Sequence, residues 1–235
     1  MSERVDRRLQ ACGVASRREA ERLVRAGRVT LDGEVVRDPA ARWDPSRALA
    51  LDGREMRVPP VLVAWHKPAG VLTALRDPWG RDGLDEALPE AIRDGWHPVG
   101  RLDLDTRGLL LLSRDGAWTQ RLLHPRRAVE REYVARVEGA PAPDLGDRLA
   151  AGVETADGVY PAQLVAVDGD LVRLIVREGK HRMVRRLLAN LGLPVLDLQR
   201  VRYGVVELGE LAEGAWREVT DAELTALWPA GPRGA

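Results

Sequence analysis

The chain is organised around residues 100–116, which read GRLDLDTRGLLLLSRDG. Two acids and two arginines occupy a turn-forming run, and the four leucines that follow predict a strand too apolar to face water. A loop held by buried structure is a frequent place for catalytic groups, so Asp103 is a candidate for chemistry. Taken alone, the loop favours a simpler interpretation, in which Asp103 only helps to form the turn.

The composition is that of an ordinary soluble globular protein, with 31% charged and 45% hydrophobic residues among 235. No apolar run is long enough to span a membrane and no secretory signal is present, so no membrane partner is expected. The lone Cys12 cannot form an intrachain disulfide, which agrees with a cytoplasmic protein. The four histidines and this cysteine show no metal-ligand spacing, and no metal site is predicted.

The formal net charge of zero conceals two basic segments. Residues 1–30 hold eight arginines against four acids, and residues 173–202 hold seven arginines and one lysine against two acids. Arginine suits phosphate contact and base stacking, so both segments favour a nucleic-acid partner. The preference for arginine over lysine has a simpler explanation in a GC-rich genome.

The N-terminal segment predicts two short helices, at residues 4–12 and 17–26, and a tight hairpin. Ser16 and Glu19 have the spacing of a capping box, and Asp32-Gly33 predicts a type I′ turn. Residues 3–50 resemble the αL-type RNA-binding module of a small-subunit ribosomal protein and of several RNA-modifying enzymes. The alternative is that the arginines only solvate helix faces. The resemblance implies RNA contacts by Arg7, Arg8, Arg17, Arg18 and Arg28.

Pro59-Pro60 closes this segment, so we expect an RNA-binding domain at residues 1–58 and a second domain at residues 59–235. The second domain predicts several hairpins with scattered helices, including a strand at 132–137, a hairpin at 164–176 and a helix at 181–191. This pattern indicates an α+β fold with a mixed, largely antiparallel sheet. No glycine-rich phosphate loop appears.

The predicted helix at 181–191 has an apolar face made by Val184, Leu187, Leu188 and Leu191. Its opposite face carries Arg182, Arg185 and Arg186 and would present three guanidinium groups in one direction. With Lys180 they form a candidate RNA-binding surface. A solvated surface stripe would show the same pattern.

Several motifs together resemble the bacterial rRNA pseudouridine synthases that join an αL-type RNA-binding module to a catalytic domain. The matching stretches are residues 66–71 (HKPAGV), 100–116, 130–133 (EREY), 179–186 (GKHRMVRR) and 200–204 (RVRYG). The resemblance spans about residues 3–226. Arg182-Met183 departs from it, because many members have His-Gln there.

The resemblance implies specific roles. Asp103 matches the catalytic aspartate, Tyr133 the active-site tyrosine and Arg185 the basic partner of the aspartate. Arg101 matches the arginine that fills the gap left by an extruded base. A carboxylate can act as a nucleophile towards the sugar or the base, and Tyr133 would stack on uracil or take a proton. The reaction needs no cofactor.

The expected partner is ribosomal RNA, in a subunit or an assembly intermediate, and the expected state is a monomer. Large-subunit rRNA is preferred and small-subunit rRNA is the alternative. Two other classes stay open: a catalytically silent RNA-binding or ribosome-assembly protein, and a metal-dependent glycosyl transferase using Asp103 and Asp105. Lys67 is predicted to be a surface lysine at a strand end, and Trp65, Trp96 and Trp118 to fill the core.

Overall fold

The computed structural model describes residues 3–14, 16–44, 46–56, 60–74 and 83–229. The chain divides into two compact units, residues 1–60 and 61–235, which are described separately. The boundary predicted between residues 58 and 59 falls on residues outside the described ranges. None of the described helices is long and apolar enough to cross a lipid bilayer.

The N-terminal unit consists of two helices and short antiparallel strands. Its elements are β1 (Glu3–Arg4), α1 (Val5–Ala11), α2 (Arg17–Arg25), β2 (Val29–Leu31), β3 (Glu34–Val36), β4 (Arg42–Trp43), β5 (Leu49–Leu51) and β6 (Arg54–Glu55). Ser16 caps α2 by accepting a hydrogen bond from the Glu19 backbone N–H at 3.2 Å. Asp32 and Gly33 both have positive φ, which confirms the predicted type I′ turn between β2 and β3.

The second unit is built on one mixed sheet. Its elements are β7 (Leu62–Lys67), α3 (Leu84–Ala87), β8 (His97–Pro98), β9 (Arg107–Ser113), α4 (Gly116–Leu123), β10 (Arg131–Val137), α5 (Leu145–Ala151), β11 (Val153–Thr155), β12 (Gly158–Tyr160), β13 (Gln163–Asp168), β14 (Leu171–Val176), α6 (Met183–Asn190), β15 (Val195–Tyr203), β16 (Val206–Glu207), β17 (Trp216–Glu218) and α7 (Asp221–Leu227).

Within the described ranges, the main sheet has the strand order β13-β14-β10-β15-β9-β7-β17. Strands β9 and β15 run parallel to each other, and the other neighbouring pairs are antiparallel. With helices interspersed along the chain, this architecture confirms the predicted α+β class.

Strand β9 is buried on both faces. Leu109 and Leu111 pack into one hydrophobic cluster, Leu110 and Leu112 pack into another, and all four side chains are fully buried. Two-sided burial explains why this strand is a continuous apolar run rather than an alternating one. The loop that precedes β9, residues 100–106, is therefore attached to a strand that is buried on both faces; we call it the central loop.

The nine-residue strand β15 was not predicted from the sequence. It reads VLDLQRVRY, and its polar residues obscure the alternation of apolar and polar positions that identifies a strand. β15 lies between β10 and β9, so it joins the strand that carries Tyr133 to the strand that follows the central loop. The predicted core positions of Trp65, Trp96 and Trp118 are confirmed, because all three side chains are buried.

Candidate active site

A pocket of about 350 Å³ opens beside the central loop. Arg101, Asp103 and Thr106 line it from the loop, and Tyr133 and Arg200 line it from β10 and β15. Its size falls at the lower end of the range for small-ligand pockets. The structure thus brings Asp103 and Tyr133, predicted from separate motifs, into one cavity.

The Lys67 side chain fixes the backbone of the central loop. Its ammonium donates hydrogen bonds to the backbone carbonyl oxygens of Pro68 at 2.8 Å and Thr106 at 2.9 Å, and lies 3.4 Å from that of Asp103. The side chain is fully buried, so the prediction of a surface lysine is wrong: the end of β7 runs underneath the loop. Burial lowers the pKa of Lys67 to about 8, although the charges of Asp103 and Asp105 oppose that shift.

A second fixed point lies on the segment that follows β7. The hydroxyl of Thr73 donates to the backbone oxygen of Leu102 at 2.7 Å and accepts from the Leu102 N–H at 3.1 Å. The Gly70 N–H also donates to the Leu104 carbonyl oxygen at 2.8 Å. Residues 67–73 therefore fix the backbone of the central loop while leaving the Asp103 side chain free.

The Asp103 side chain is half-buried and lines the pocket. Its carboxylate forms no hydrogen bond or ion pair with any residue in the described part of the chain. Its charge interacts with those of Lys67 and Arg182. Tyr133 is 8% exposed, so its ring forms part of the pocket wall.

Arg185 is not the partner of Asp103 in this structure. Its two terminal nitrogens donate to the backbone oxygens of Val195 at 3.0 Å and Asp105 at 2.8 Å. Its Nε lies 3.4 Å from the Asp105 carboxylate, and the side chain is 9% exposed. The prediction that Arg185 pairs with the nucleophile is therefore corrected, because this arginine binds the acid two residues further along the loop.

The other two arginines of this segment also face their own domain. Arg182 has a positive φ and precedes α6, which begins at Met183 rather than at residue 181. It donates two hydrogen bonds of 2.9 Å to Asp105, and Arg186 donates one of 2.6 Å to Asp157. Because Arg185 is buried, the three guanidinium groups are not presented together on one exposed face. The contact of Arg182 and Arg186 with RNA stays a prediction, since both are engaged here by acids of the same unit.

The arginine cluster changes the acidity of Asp105. Partial burial would raise the pKa of this carboxyl, but the hydrogen bonds from Arg182 and the charges of Arg185 and Arg182 lower it below the ordinary value of an aspartate. Asp105 is thus held ionised by its partners. It connects the central loop to the beginning of α6.

Two of the predicted RNA-binding residues lie at the pocket. Arg101 and Lys180 are both exposed and both line the cavity. Arg101 forms no ion pair or hydrogen bond with the residues that the structure describes, while the Lys180 ammonium lies 6.0 Å from the centre of the Tyr160 ring. Their contact with RNA stays a prediction.

The five arginines predicted to bind RNA in the N-terminal unit lie at its surface. Arg8 is half-buried over the Trp43 ring, 4.0 Å from its centre. Arg18 is exposed and has no ion pair with a described residue. Arg8 and the other three form ion pairs within the unit: Arg7 and Arg8 with Glu3, Arg17 with Asp6 and Glu21, and Arg28 with Asp52. Such exposed pairs are weak and exchange readily for phosphate.

Arg200, Tyr203 and Arg131 line the pocket but were given no role from the sequence. Arg200 is 2% exposed, and its Nε donates to the Leu109 backbone oxygen at 2.7 Å. Arg131 donates to the Tyr203 hydroxyl at 3.1 Å and lies over its ring. The RVRYG motif contained two of these residues, but only the position of β15 shows that they reach the pocket. Among the residues with described positions, no cluster of acids, histidines or cysteines could hold a metal ion.

The chain belongs to the RNA pseudouridylate synthase family, whose model matches residues 61–190. An S4 domain model matches residues 3–46, which agrees with the RNA-binding module expected from the sequence. The protein is therefore an RNA pseudouridine synthase, an isomerase.

Curated relatives align over nearly the whole chain. An uncharacterized RNA pseudouridine synthase of Mycobacterium leprae is 39% identical over 96% of this chain and 92% of its own length. Ribosomal large subunit pseudouridine synthase B of Bacillus subtilis is 34% identical over 96% of this chain and 95% of its own. The protein of the same name from Vibrio cholerae is 37% identical over 97% of this chain and 74% of its own. A crystal structure of a pseudouridylate synthase superposes with a TM-score of 0.66 at 26% identity, covering 95% of this chain and 99% of that one.

Proposed function

We propose that this enzyme converts a uridine of large-subunit ribosomal RNA to pseudouridine, with Asp103 as the nucleophile. Two relatives of similar length or longer are named for large-subunit rRNA, which supports this substrate over small-subunit rRNA. The observation that carries the chemical part is the free, half-buried carboxylate of Asp103 in a pocket that also contains Tyr133.

The reaction breaks the bond between the ribose and the ring nitrogen of uracil, turns the base and rejoins it through a ring carbon. The nitrogen gains a proton and the carbon loses one, so no redox partner or external group is needed. The Asp103 carboxylate attacks the sugar or the base and leaves again when the new bond forms. Since its oxygens have no partner within the described protein, no ion pair has to break first.

The target uridine has to leave the stacked RNA to reach Asp103, at a cost of a few kcal/mol. The pocket has room for one extruded nucleoside, with Tyr133 as an aromatic wall against the base. Arg101 enters the gap that the base leaves. Lys180 and the arginines of the N-terminal unit contact phosphates and offset the cost of extrusion. The enzyme acts as a monomer on a ribosomal subunit or an assembly intermediate.

The decisive variant is Asp103→Asn, assayed for pseudouridine formation in rRNA from a strain that lacks the gene. We expect the rate to fall by about 10⁴-fold or more, because the amide is not a nucleophile. RNA affinity and the free energy of unfolding should stay near the wild-type values. Asp170→Asn, the same change in an exposed hairpin turn away from the pocket, is the matched control. Full activity of Asp103→Asn would reject the nucleophile.

The substrate is tested by mapping pseudouridines in both rRNAs of the deletion strain. Loss of a single site in large-subunit rRNA is the expected result. Loss of a site in small-subunit rRNA would instead identify small-subunit rRNA as the substrate. If every site remained modified, a role in RNA binding or ribosome assembly would be favoured instead.

A further inference from the structure

Two buried polar side chains of the pocket each have an atom without a hydrogen-bond partner among the described residues. Thr106 is 1% exposed and Arg200 is 2% exposed, and both line the cavity beside Asp103. The hydroxyl oxygen of Thr106 and the Nη2 of Arg200 are buried and form no hydrogen bond with any described residue. Other unpartnered buried nitrogens of the described chain, on Arg8, Trp96, Arg185 and Arg186, belong to residues that do not line this pocket.

The sheet places the backbones of these two residues near each other. Strands β9 and β15 pair in parallel with Gly108 opposite Arg200, and Thr106 precedes β9 directly. Gly108 permits an unusually close approach, since a Cβ there would lie 2.3 Å from the Arg200 backbone oxygen. The Arg200 Nε is fixed on the Leu109 carbonyl, and the Thr106 carbonyl is fixed on Lys67. The backbone of Thr106 and one nitrogen of the Arg200 guanidinium are therefore fixed by the fold.

Leaving a buried donor without a partner is costly, and for a guanidinium more so than for a hydroxyl. A fold tolerates this cost where a ligand supplies the missing partners. We propose that Thr106 and Arg200 recognise the polar edge of the target base and select uridine over cytidine. This inference rests on the proposed function, because it assumes that the pocket receives an extruded pyrimidine.

The hydrogen-bonding capacities of the two groups fit uracil. A guanidinium only donates, whereas a hydroxyl both donates and accepts. Uracil presents two carbonyl oxygens with an N–H between them, so Arg200 would donate to a carbonyl and Thr106 would bond beside it. Cytosine carries an amino group in place of one carbonyl, so its N–H donors would face the N–H donors of the Arg200 guanidinium. Tyr133 and the apolar side chains of Leu198 and Val184 line the pocket and would pack against the faces of the ring.

Thr106→Val gives the first test, because valine keeps the shape and removes only the hydroxyl. We expect kcat/KM for the rRNA substrate to fall about tenfold, the value of one hydrogen bond. The free energy of unfolding should be unchanged or higher, since an unpartnered buried polar group is lost. A purely structural threonine would give the opposite pattern.

Thr155→Val is the matched control outside the pocket. The Thr155 hydroxyl donates to the Gly158 oxygen at 2.9 Å and accepts from the Asp157 N–H at 3.3 Å. Its removal should lower the free energy of unfolding and leave kcat/KM unchanged. If Thr106→Val instead keeps wild-type kcat/KM, the Thr106 hydroxyl does not contact the base, and the recognition by this pair is rejected.

Discrimination is measured directly by binding, in an Asp103→Asn background that prevents turnover. The probes are two rRNA fragments that carry uridine or cytidine at the site mapped in the deletion strain. We expect Arg200→Lys, which keeps the charge but loses the fork of donors, to lower the ratio of uridine to cytidine affinity about tenfold or more. Thr106→Val should lower the same ratio. If Arg200→Lys does not fold, the ratio measured for Thr106→Val tests the inference.

An unchanged ratio in the folded variants would overturn the inference. The proposed function would survive that result, provided that the wild type makes pseudouridine and Asp103→Asn does not. Conversely, a wild type that modifies no rRNA would reject the proposed function, whatever the binding ratio shows.

Discussion

The two acids of the central loop, two residues apart, lie in contrasting surroundings. The Asp105 carboxylate accepts two hydrogen bonds from Arg182 and lies 3.4 Å from Arg185. The Asp103 carboxylate has no such partner among the described residues, and Asp103 lines the pocket together with Thr106, whose buried hydroxyl is also unpartnered. Within one short loop, the side chain directed at the scaffold is satisfied, and the side chains directed at the pocket are left available.

The difference indicates how the loop can be rigid and reactive at once. Lys67 and Thr73 fix it through backbone atoms, and Asp105 fixes it through a side chain that the proposed reaction does not use. No fixed point uses the Asp103 carboxylate. Reactive groups held within a small fraction of an ångström by surrounding structure are what fast chemistry requires.

The largest effect is expected from Gly108→Ala, at the junction between β9 and the central loop that carries both acids. A methyl group there would lie 2.3 Å from the Arg200 oxygen and 2.7 Å from its nitrogen, in a residue whose φ is +109°. We expect the two parallel strands to separate and the free energy of unfolding to fall by about 4 kcal/mol or more. Thermal denaturation should show a decrease in Tm of about 10 °C.

Gly116→Ala is the control for that variant. Gly116 begins α4 without a positive φ, and a Cβ there has no neighbour within 4 Å. Its stability should stay within about 0.5 kcal/mol of the wild type, or rise slightly. Equal stability of the two variants would mean that β9 and β15 can part without cost, and the loop would then have no rigid base.

A smaller effect is expected from Asp105→Asn, which removes the charge that Arg182 and Arg185 bind. Because Asp105 and Arg182 are both partly exposed, the loss of stability should be about 1 kcal/mol. The freed guanidinium groups would compete for the Asp103 carboxylate, so kcat/KM should fall about tenfold. Asp103→Asn should give the reverse pattern, with activity lost and stability retained.

The pH dependence tests the same pair. Since the folded state lowers the pKa of Asp105, its contribution to stability is complete above the unfolded value of about 3.9. It decreases as the pH falls through the folded pKa. The stability difference between the wild type and Asp105→Asn, measured by urea unfolding, should therefore shrink below about pH 4. A difference that is constant down to pH 2 would show that the ion pairs carry no stability.

The sequence identified the side chains of the pocket better than it identified their partners. Asp103 and Tyr133 follow from motifs, and the four leucines predict the buried strand correctly. Arg185 was assigned to Asp103, but its contacts are with Asp105 two residues further along, and no local pattern distinguishes these two acids. Arg200 was missed because its position at the pocket depends on pairing between β15 and β9, two strands that are distant in sequence.

Lys67 was misplaced for a related reason: a lysine at a strand end is ordinarily exposed, and only the path of the central loop over β7 buries it. Burial of this kind depends on segments about 40 residues apart in sequence. Local composition therefore predicts the elements, while the charge network of the site depends on the tertiary fold.

The smallest expected effect concerns Lys67 and decides whether the loop is held by a charged group. The chain has only two lysines, Lys67 and Lys180, so NMR of labelled lysine gives one signal for each. One signal should titrate at about pH 8 and vanish in Lys67→Met but not in Lys180→Met.

Between about pH 8 and about 10.4 the unfolded state binds the proton that folded Lys67 has lost, so this residue makes the free energy of unfolding rise with pH. The slope, relative to Lys67→Met, should not exceed about 1.4 kcal/mol per pH unit. Above pH 8 the neutral amine has fewer protons to donate to the Thr106 and Pro68 carbonyls, so activity should decrease while global stability does not. If both lysine signals titrated above about pH 10, the ammonium would be solvated, and the loop backbone would depend on Thr73 and the Asp105 ion pairs alone.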